Sequence, residues 1–242
     1  MNSPTGSHEA LLQQARERTW YHAFELAPGL VTEGMFDLRP FVDRYGLPER
    51  LDGLSALDVG TFDGFWALEM ERRGATVVAL DVDDWRELDW PPRRRPREDR
   101  ALGEGFRLVQ DLTGLRARRV VCNLYDARPE ELGQFDLVFC GSVLIHVRDQ
   151  LLALERMRAL CRGRFICAEA YDPLTGLLPF PAARYRPDRD RSVVFWEPSA
   201  RTWRRMLWTA GFEGVREHAR FKLRSLHGFS VRHVVLHAHA PG

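Results

Sequence analysis

Gly60 and Gly64 bracket the turn Gly60-Thr61-Phe62-Asp63-Gly64, which closes an apolar run containing Asp58. Asp81 closes the next apolar run. Asp126 and Ala127 follow a third, and Cys140-Gly141-Ser142 follow a fourth. Glycine at a strand end lets the chain turn sharply and lets the next helix start close to a ligand. A carboxylate at the following strand end can accept two hydrogen bonds from a ribose diol. A nucleotide ligand is therefore expected. A dinucleotide needs G-x-G-x-x-G, because its pyrophosphate must approach bare backbone at a helix N-terminus. Here Phe62 and Phe65 stand where two of those glycines belong, and Asp63 adds negative charge.

These residues argue against NAD or FAD and for a nucleoside without phosphate that carries a positive sulfonium, S-adenosylmethionine. Asp58 and Asp63 are expected near its amino-acid end, around the turn residues Thr61 and Phe62. Asp81, followed by Val82, is expected at the ribose. Asp126 and Ala127, with Tyr125 before them, are expected at the adenine edge. Cys140 and Gly141 fall beside the sulfonium, where a small glycine leaves room, and aromatic faces suit the cation. The plain alternative is a strand-turn-helix without a ligand.

The elements that position these residues alternate from Ser55 onward. Strands are expected over SALDVG, ATVVALD, RRVVCNL, FDLVFC and RFICAEAY, with helices between them such as GFWALEMERRG and RDQLLALERMRALC. Continuous apolar strands alternating with helices imply a parallel sheet covered on both faces. The tail reads as a helix over EPSARTWRRMLWTAGF, with Pro198 in its first turn, and then two strands near 212–222 and 229–239 that form an antiparallel edge hairpin. Ahead of the sheet, the sequence predicts a mobile tail over the first eight residues and a helix over 9–19. An irregular aromatic stretch, WYHAFELAPGLVTEGMFDLRP, and a short helix over 40–49 follow. The segment 171–196 is long, Pro-rich and aromatic, as a lid would be.

The chain has 242 residues, 45% of them hydrophobic and 11% aromatic, and a net charge of +1, so it is no general polyanion binder. The Pro/Arg-rich stretch 90–100 reads as a solvated loop rather than an RNA contact. No apolar run reaches the roughly 18 residues of a membrane span. There is no apolar signal core, and the four cysteines form no C-x-x-C pair. A cytoplasmic protein with reduced thiols and no metal site is expected.

LDVGTFDGFWALEMERRGATVVALD, NLYDARPEELGQFDLVF and GSVLIHVRDQLLALERM resemble the class I S-adenosylmethionine-dependent methyltransferases. With WYHAFELAPGLVTEGMFDLRP and FWEPSARTWRRMLWTAGF, the chain is similar to the tRNA wobble-uridine carboxymethyltransferase family over roughly residues 20–240. The resemblance implies a Rossmann-like α/β fold with a seven-stranded, mostly parallel sheet and an antiparallel edge hairpin. It divides the chain into an N-terminal cap over 1–50 and a cofactor-binding domain over 51–242. A bulky residue at the Phe62 position is normal in that family. The family's V-L-Y-H has a tyrosine that helps hold a carboxylated cofactor, and this chain has Ile145 there. Fewer than 60 residues precede the glycine turn, and no broad basic surface is evident. These departures favour plain S-adenosylmethionine and a small-molecule acceptor, with RNA modification as the alternative, in a monomer or homodimer.

Methyl transfer is an in-line displacement that depends on alignment, and it needs a base only if the acceptor keeps a proton until attack. His146, after the fourth strand, is the first candidate base; a loop-holding hydrogen bond is its alternative role. His22 and Tyr21 are second candidates if the N-terminal segment folds over the site. Glu169 and Tyr171 end the fifth strand and face the acceptor side. Arg184, Tyr185 and Trp196 belong to the lid, and Phe36 and Arg39 to the opposite wall. His233, His237 and His239 share one strand face by period two, which a half-exposed edge strand explains.

Overall fold

The computed structural model describes residues 4–97, 101–186 and 193–241. The helix α1 (Pro4–Glu17) is followed by four short strands, β1 (Trp20–His22), β2 (Glu25–Ala27), β3 (Leu30–Val31) and β4 (Gly34–Phe36). β1 pairs with β4 in parallel and β2 with β3 antiparallel. This corrects the expectation of irregular chain. Trp20, Phe24 and Leu26 are buried, and pairing satisfies backbone groups that burial would otherwise strand. The Trp20 indole also donates to the Ala15 carbonyl at 2.8 Å. Helix starts at Pro4, inside the segment expected to be a tail. A 3-10 stretch, Arg39–Tyr45, stands where a short helix over 40–49 was expected.

The parallel core is β5 (Ser55–Val59), β6 (Thr76–Asp81), β7 (Arg118–Val121), β8 (Phe135–Gly141) and β9 (Cys161–Ala170). Between these strands run α2 (Phe65–Arg72), α3 (Glu104–Thr113), α4 (Pro129–Leu132) and α5 (Gln150–Leu160). Two short strands, β10 (Ala183–Tyr185) and β11 (Trp196–Pro198), pair antiparallel. They are followed by α6 (Ala200–Thr209) and the hairpin of β12 (Glu213–Arg224) and β13 (Ser230–His239). The seven strands run in the order β12-β13-β9-β8-β5-β6-β7. β5 and β8 are parallel neighbours, and the strands that follow each of them are added in opposite directions across the sheet, a switch point that opens a crevice beyond their carboxyl ends.

Pro198 does not lie in the first turn of α6. It ends β11, and Ser199 caps the helix by accepting from the Thr202 amide at 3.1 Å. The segment expected to be a structureless lid holds a 3-10 turn (Thr175–Leu177) and the β10–β11 ribbon. The part of that lid over 187–192, and residues 98–100 of the Arg-rich loop, lie outside the described residues. β13 is not an edge strand. It lies between β12 and β9, so His233 and His237 are buried.

Two apolar layers flank the sheet. On one face Tyr45, Trp66, Phe106 and Phe139 join α2, α3 and the N-terminal strands. On the other, Leu154, Phe165, Trp203 and Phe212 join α5 and α6. Trp203 is fully buried, and its indole donates to the Ala170 carbonyl at 2.8 Å, so α6 is fastened to the catalytic end of β9. Trp203→Ala is expected to lower stability by about 3–5 kcal/mol, measured by urea unfolding. A change below about 1 kcal/mol would contradict this packing role.

Candidate active site

The turn after β5 is fixed by the tip of β6. The Gly60 and Thr61 amides donate to the Leu80 carbonyl at 2.8 and 3.2 Å. Gly60 has φ 68°, and a Cβ there would come within 2.5 Å of a Val143 methyl. Phe62 also takes a left-handed φ of 49°, a conformation that glycine adopts freely and other residues seldom do. It is held by its amide, which donates to Asp81 Oδ2 at 2.7 Å. Its ring meets Tyr21 edge-on at 5.4 Å.

Asp81 Oδ1 accepts from the Val82 amide at 2.8 Å. Each carboxylate oxygen therefore takes one amide and keeps capacity for a further donor, which is what a ribose diol requires. Burial raises the Asp81 pKa, and the Phe62 and Val82 amides oppose the rise. Asp58 is buried and accepts from Thr61 Oγ1 at 2.7 Å, and burial pushes its carboxyl up to about 7. These residues fit S-adenosylmethionine: the diol has an acceptor, the turn backbone is shielded by Phe62, and the nearby acids suit a cation.

The Asp63 carboxylate accepts from the Tyr21 amide at 3.0 Å and is buried against the N-terminal segment, so it anchors the cap. At Gly141 a Cβ would meet the Phe139 ring at 2.9 Å and Trp66 at 3.5 Å, so the core aromatics beneath it favour a glycine.

On the adenine side, the Tyr125 hydroxyl donates to Asp89 Oδ2 at 2.7 Å and accepts from the Asp149 amide at 2.9 Å. The Arg148 amide also reaches Asp89 Oδ2 at 2.7 Å. Tyr125 thus closes the loop after β6 onto the start of α5. Asp126 is exposed and Ala127 fully buried. Arg119 pairs with Asp83 and donates to the Val82 carbonyl at 2.9 Å, bracing the segment after Asp81. Neither Asp89 nor Arg119 has a local sequence signal, because both act across strands.

At the tips of β8 and β9, Cys140 and Glu169 are buried. Glu169 Oε1 accepts from the Val143 and Leu144 amides, both at 2.9 Å, while its buried Oε2 has no hydrogen-bond partner. Burial pushes this carboxyl up to about 7. Tyr21 is pushed up to about 12 by burial, then by Glu169 and Asp63. His22 is pushed down to about 3 by burial, and its Nδ1 has no partner. Phe36 meets Tyr21 at 5.4 Å and Phe229 at 5.8 Å. Tyr21, His22, Phe36, Phe62 and Glu169 therefore stand together at the strand tips.

The lid candidates are placed elsewhere. His146 Nδ1 bonds the Val193 carbonyl, and the Phe195 amide donates to the Ile145 carbonyl at 3.1 Å. His146 thus straps the lid to its own loop, and burial lowers its pKa. Arg184 bridges Glu197 at 2.6 Å and approaches Asp172 at 3.6 Å. Tyr185 packs on Trp196 at 4.5 Å, and the Trp196 indole donates to the Arg148 carbonyl at 3.3 Å. Tyr171 lies just past β9 with the Arg220 guanidinium 5.3 Å from its ring. His237 stacks on His218 at 4.4 Å and bonds the Tyr45 carbonyl at 2.9 Å. Among the described residues, no group of three or more His, Cys, Asp or Glu could hold a metal.

The fold and strand-tip site define the class I, Rossmann-like methyltransferase architecture. The family described as a methyltransferase domain matches residues 33–217. A ubiquinone biosynthesis O-methyltransferase of Vibrio parahaemolyticus is 31% identical over 117 residues, 47% of this chain and 43% of that protein, so the match spans less than half the relative. The N-terminal domain of EvdMO1, crystallised in the presence of SAH and D-fucose, superposes with a TM-score of 0.66 at 18% identity, covering 100% of this chain and 98% of that one. The 1,6-didemethyltoxoflavin-N1-methyltransferase of Burkholderia thailandensis, with 1,6-didemethyltoxoflavin and S-adenosylhomocysteine bound, gives 0.52 at 17% identity, over 79% of this chain and 72% of that one. At these identities the two structures speak to fold. The chain belongs to the methyltransferase-domain family.

Glu169 ionises near 7 when folded, against an ordinary 4.5. The folded state therefore holds an extra proton between those values, and this group's contribution to stability falls as pH rises from 4.5 to 7. Glu169→Gln should gain about 2–4 kcal/mol relative to wild type across that window, read by urea unfolding at pH 4.5 and 7.5. A pH-independent difference would contradict the buried, unpaired carboxyl.

Proposed function

We propose that the protein transfers a methyl group from S-adenosylmethionine to a small-molecule acceptor. The observation that carries this reading is the Asp81 carboxylate, with capacity left on both oxygens, beside a wall of Tyr21, Phe36, Phe62 and Glu169. When bound, the sulfonium supplies an electrophilic methyl. The chain's residues orient the partners and exclude water, and such positioning accounts for up to roughly 7–11 kcal/mol in model reactions. The acceptor lies against Tyr21 and Phe36, whose rings suit a planar molecule. A ring or sugar acceptor is consistent with the relatives described above.

Residues 1–50 act as the cap, 51–242 as the catalytic domain, and 171–196 as a lid strapped at His146. Tyr21, kept protonated by burial, orients the acceptor. His22 is a neutral wall residue. The reading places the enzyme in the cytoplasm, in natural product biosynthesis, as a monomer or homodimer. No described helix is long and apolar enough to cross a membrane. Within the superfamily, kinship with the tRNA wobble-uridine carboxymethyltransferase type is supported by the aromatic N-terminal stretch packing on the turn, Tyr21 against Phe62. Nucleic acid is not the acceptor on this reading, because arginines near the tips are paired with acids: Arg86 with Asp84, Arg119 with Asp83, Arg148 with Asp89.

Calorimetry should show S-adenosylhomocysteine binding to the wild type and at least roughly tenfold weaker binding to Asp81→Ala, the worth of about 1.4 kcal/mol of lost hydrogen bonding. Undiminished affinity would refute the ribose assignment. A panel of small phenols, sugars and amines should release S-adenosylhomocysteine. Tight, steeply salt-dependent RNA binding would instead favour the nucleic-acid alternative.

A further inference from the structure

Ser142 sits at the tip of β8, one residue past Gly141, with a left-handed φ of 59°. Non-glycine residues hold such a conformation only where neighbouring structure over-determines it, and they concentrate at functional sites. Here the neighbours do so. The Ser142 amide donates to the Ala168 carbonyl at 2.8 Å, and the next two amides are gripped by Glu169. The outcome is a hydroxyl 2.8 Å from His233 Nε2. His233 lies beside Ala170 across the β9–β13 pairing, at the catalytic edge of the sheet. Its ring is buried and lies parallel to Phe221 at 5.9 Å. Burial pushes the imidazole down to about 4, so it is neutral near pH 7. The Val231 carbonyl approaches the ring without closing a well-formed hydrogen bond to Nδ1. A proton on Nδ1 would face that carbonyl and leave Nε2 as the acceptor for Ser142.

The other imidazoles near the tips are less suited to this role. His146 is engaged with the lid backbone, and His22 has no hydroxyl or carboxylate partner among the hydrogen bonds of the described residues. We propose that Ser142 and His233 form the proton relay of the methyl transfer, an inference that rests on the function proposed above. The acceptor heteroatom forms its bond to the methyl carbon as the carbon–sulfur bond breaks and that electron pair goes to sulfur. The acceptor's proton passes to Ser142 Oγ while Ser142's own proton passes to His233 Nε2. The imidazolium then returns its proton through Ser142 to water as product leaves. Ser142 is the catalytic residue in this scheme, and His233 is the positioning residue that acts through it. The relay predicts an acceptor whose nucleophile bears a proton, a hydroxyl or an amine.

Two measurements test the relay. The first needs no acceptor: nitrogen NMR of the full chain with labelled histidine, saturated with S-adenosylhomocysteine, reads the His233 tautomer. The relay requires Nε2 unprotonated; a proton on Nε2, donated to Ser142, overturns it. The second uses any acceptor found in the panel. Ser142→Gly removes the hydroxyl while relaxing the backbone, since glycine accepts positive φ. His233→Gln keeps a hydrogen-bond partner for Ser142 but cannot take its proton. Each should lower kcat roughly 10²-fold, with KM and S-adenosylhomocysteine affinity within a few-fold of wild type. The double variant should be no worse than either single one. Wild-type kcat in either single variant overturns the relay. A wild type that binds no S-adenosylhomocysteine sinks the methyltransferase reading and the relay with it, whereas S-adenosylhomocysteine binding with Nε2 protonated sinks the relay alone.

Discussion

The site depends on the bond between the Asp81 carboxylate and the Phe62 amide. That bond joins the turn after β5 to the tip of β6. It also holds Phe62 in a backbone region that its side chain disfavours. Because Asp81 spends only one position of each oxygen on protein amides, it braces the turn and keeps acceptor capacity for a further donor. The same turn carries Asp63, which fixes the N-terminal cap through the Tyr21 amide. Ribose site, turn conformation and cap placement are thus mechanically linked through a few hydrogen bonds.

The strand tips are dry, and the electrostatics follow from that. Asp58 and Glu169 are pushed up to about 7, while His22 and His233 are pushed down to about 3 and about 4. In each case burial is the first cause, and it disfavours the charged form of acid and imidazole alike. A cation entering such surroundings meets acids whose attraction is little screened by water. It favours their ionised forms, so cofactor binding and deprotonation of these acids reinforce each other.

Much of this was legible in the sequence, because it depends on short-range signals. The apolar runs from Ser55 to Ala170 dictated the parallel sheet, and glycine spacing located the crevice. The acids Asp58 and Asp81 were expected at the crevice, and the structure puts them at the ends of β5 and β6. The run of residues 20–36 misled, because strands of two or three residues leave no readable alternation. Asp63 looked like a ligand acid, but its partner is an amide 42 positions away in sequence. His146 was read as a base or a loop-holding residue from its place after β8, and its Nδ1 bonds lid backbone. The Ser142–His233 contact joins residues 91 apart, through a hairpin whose interior position in the sheet no local pattern announces. Gly141 was read as an opening, and the ring packing beneath it, in Phe139 and Trp66, left no sequence signal.

A crystal structure of the chain grown with S-adenosylhomocysteine addresses the core of this account. Density for the nucleoside should lie across the tips of β5 and β6, with both ribose hydroxyls within hydrogen-bond reach of Asp81 and the Phe62 amide still bound to the same carboxylate. Crystals saturated with the compound that show it bound elsewhere, or show Asp81 facing only protein amides, would contradict the account.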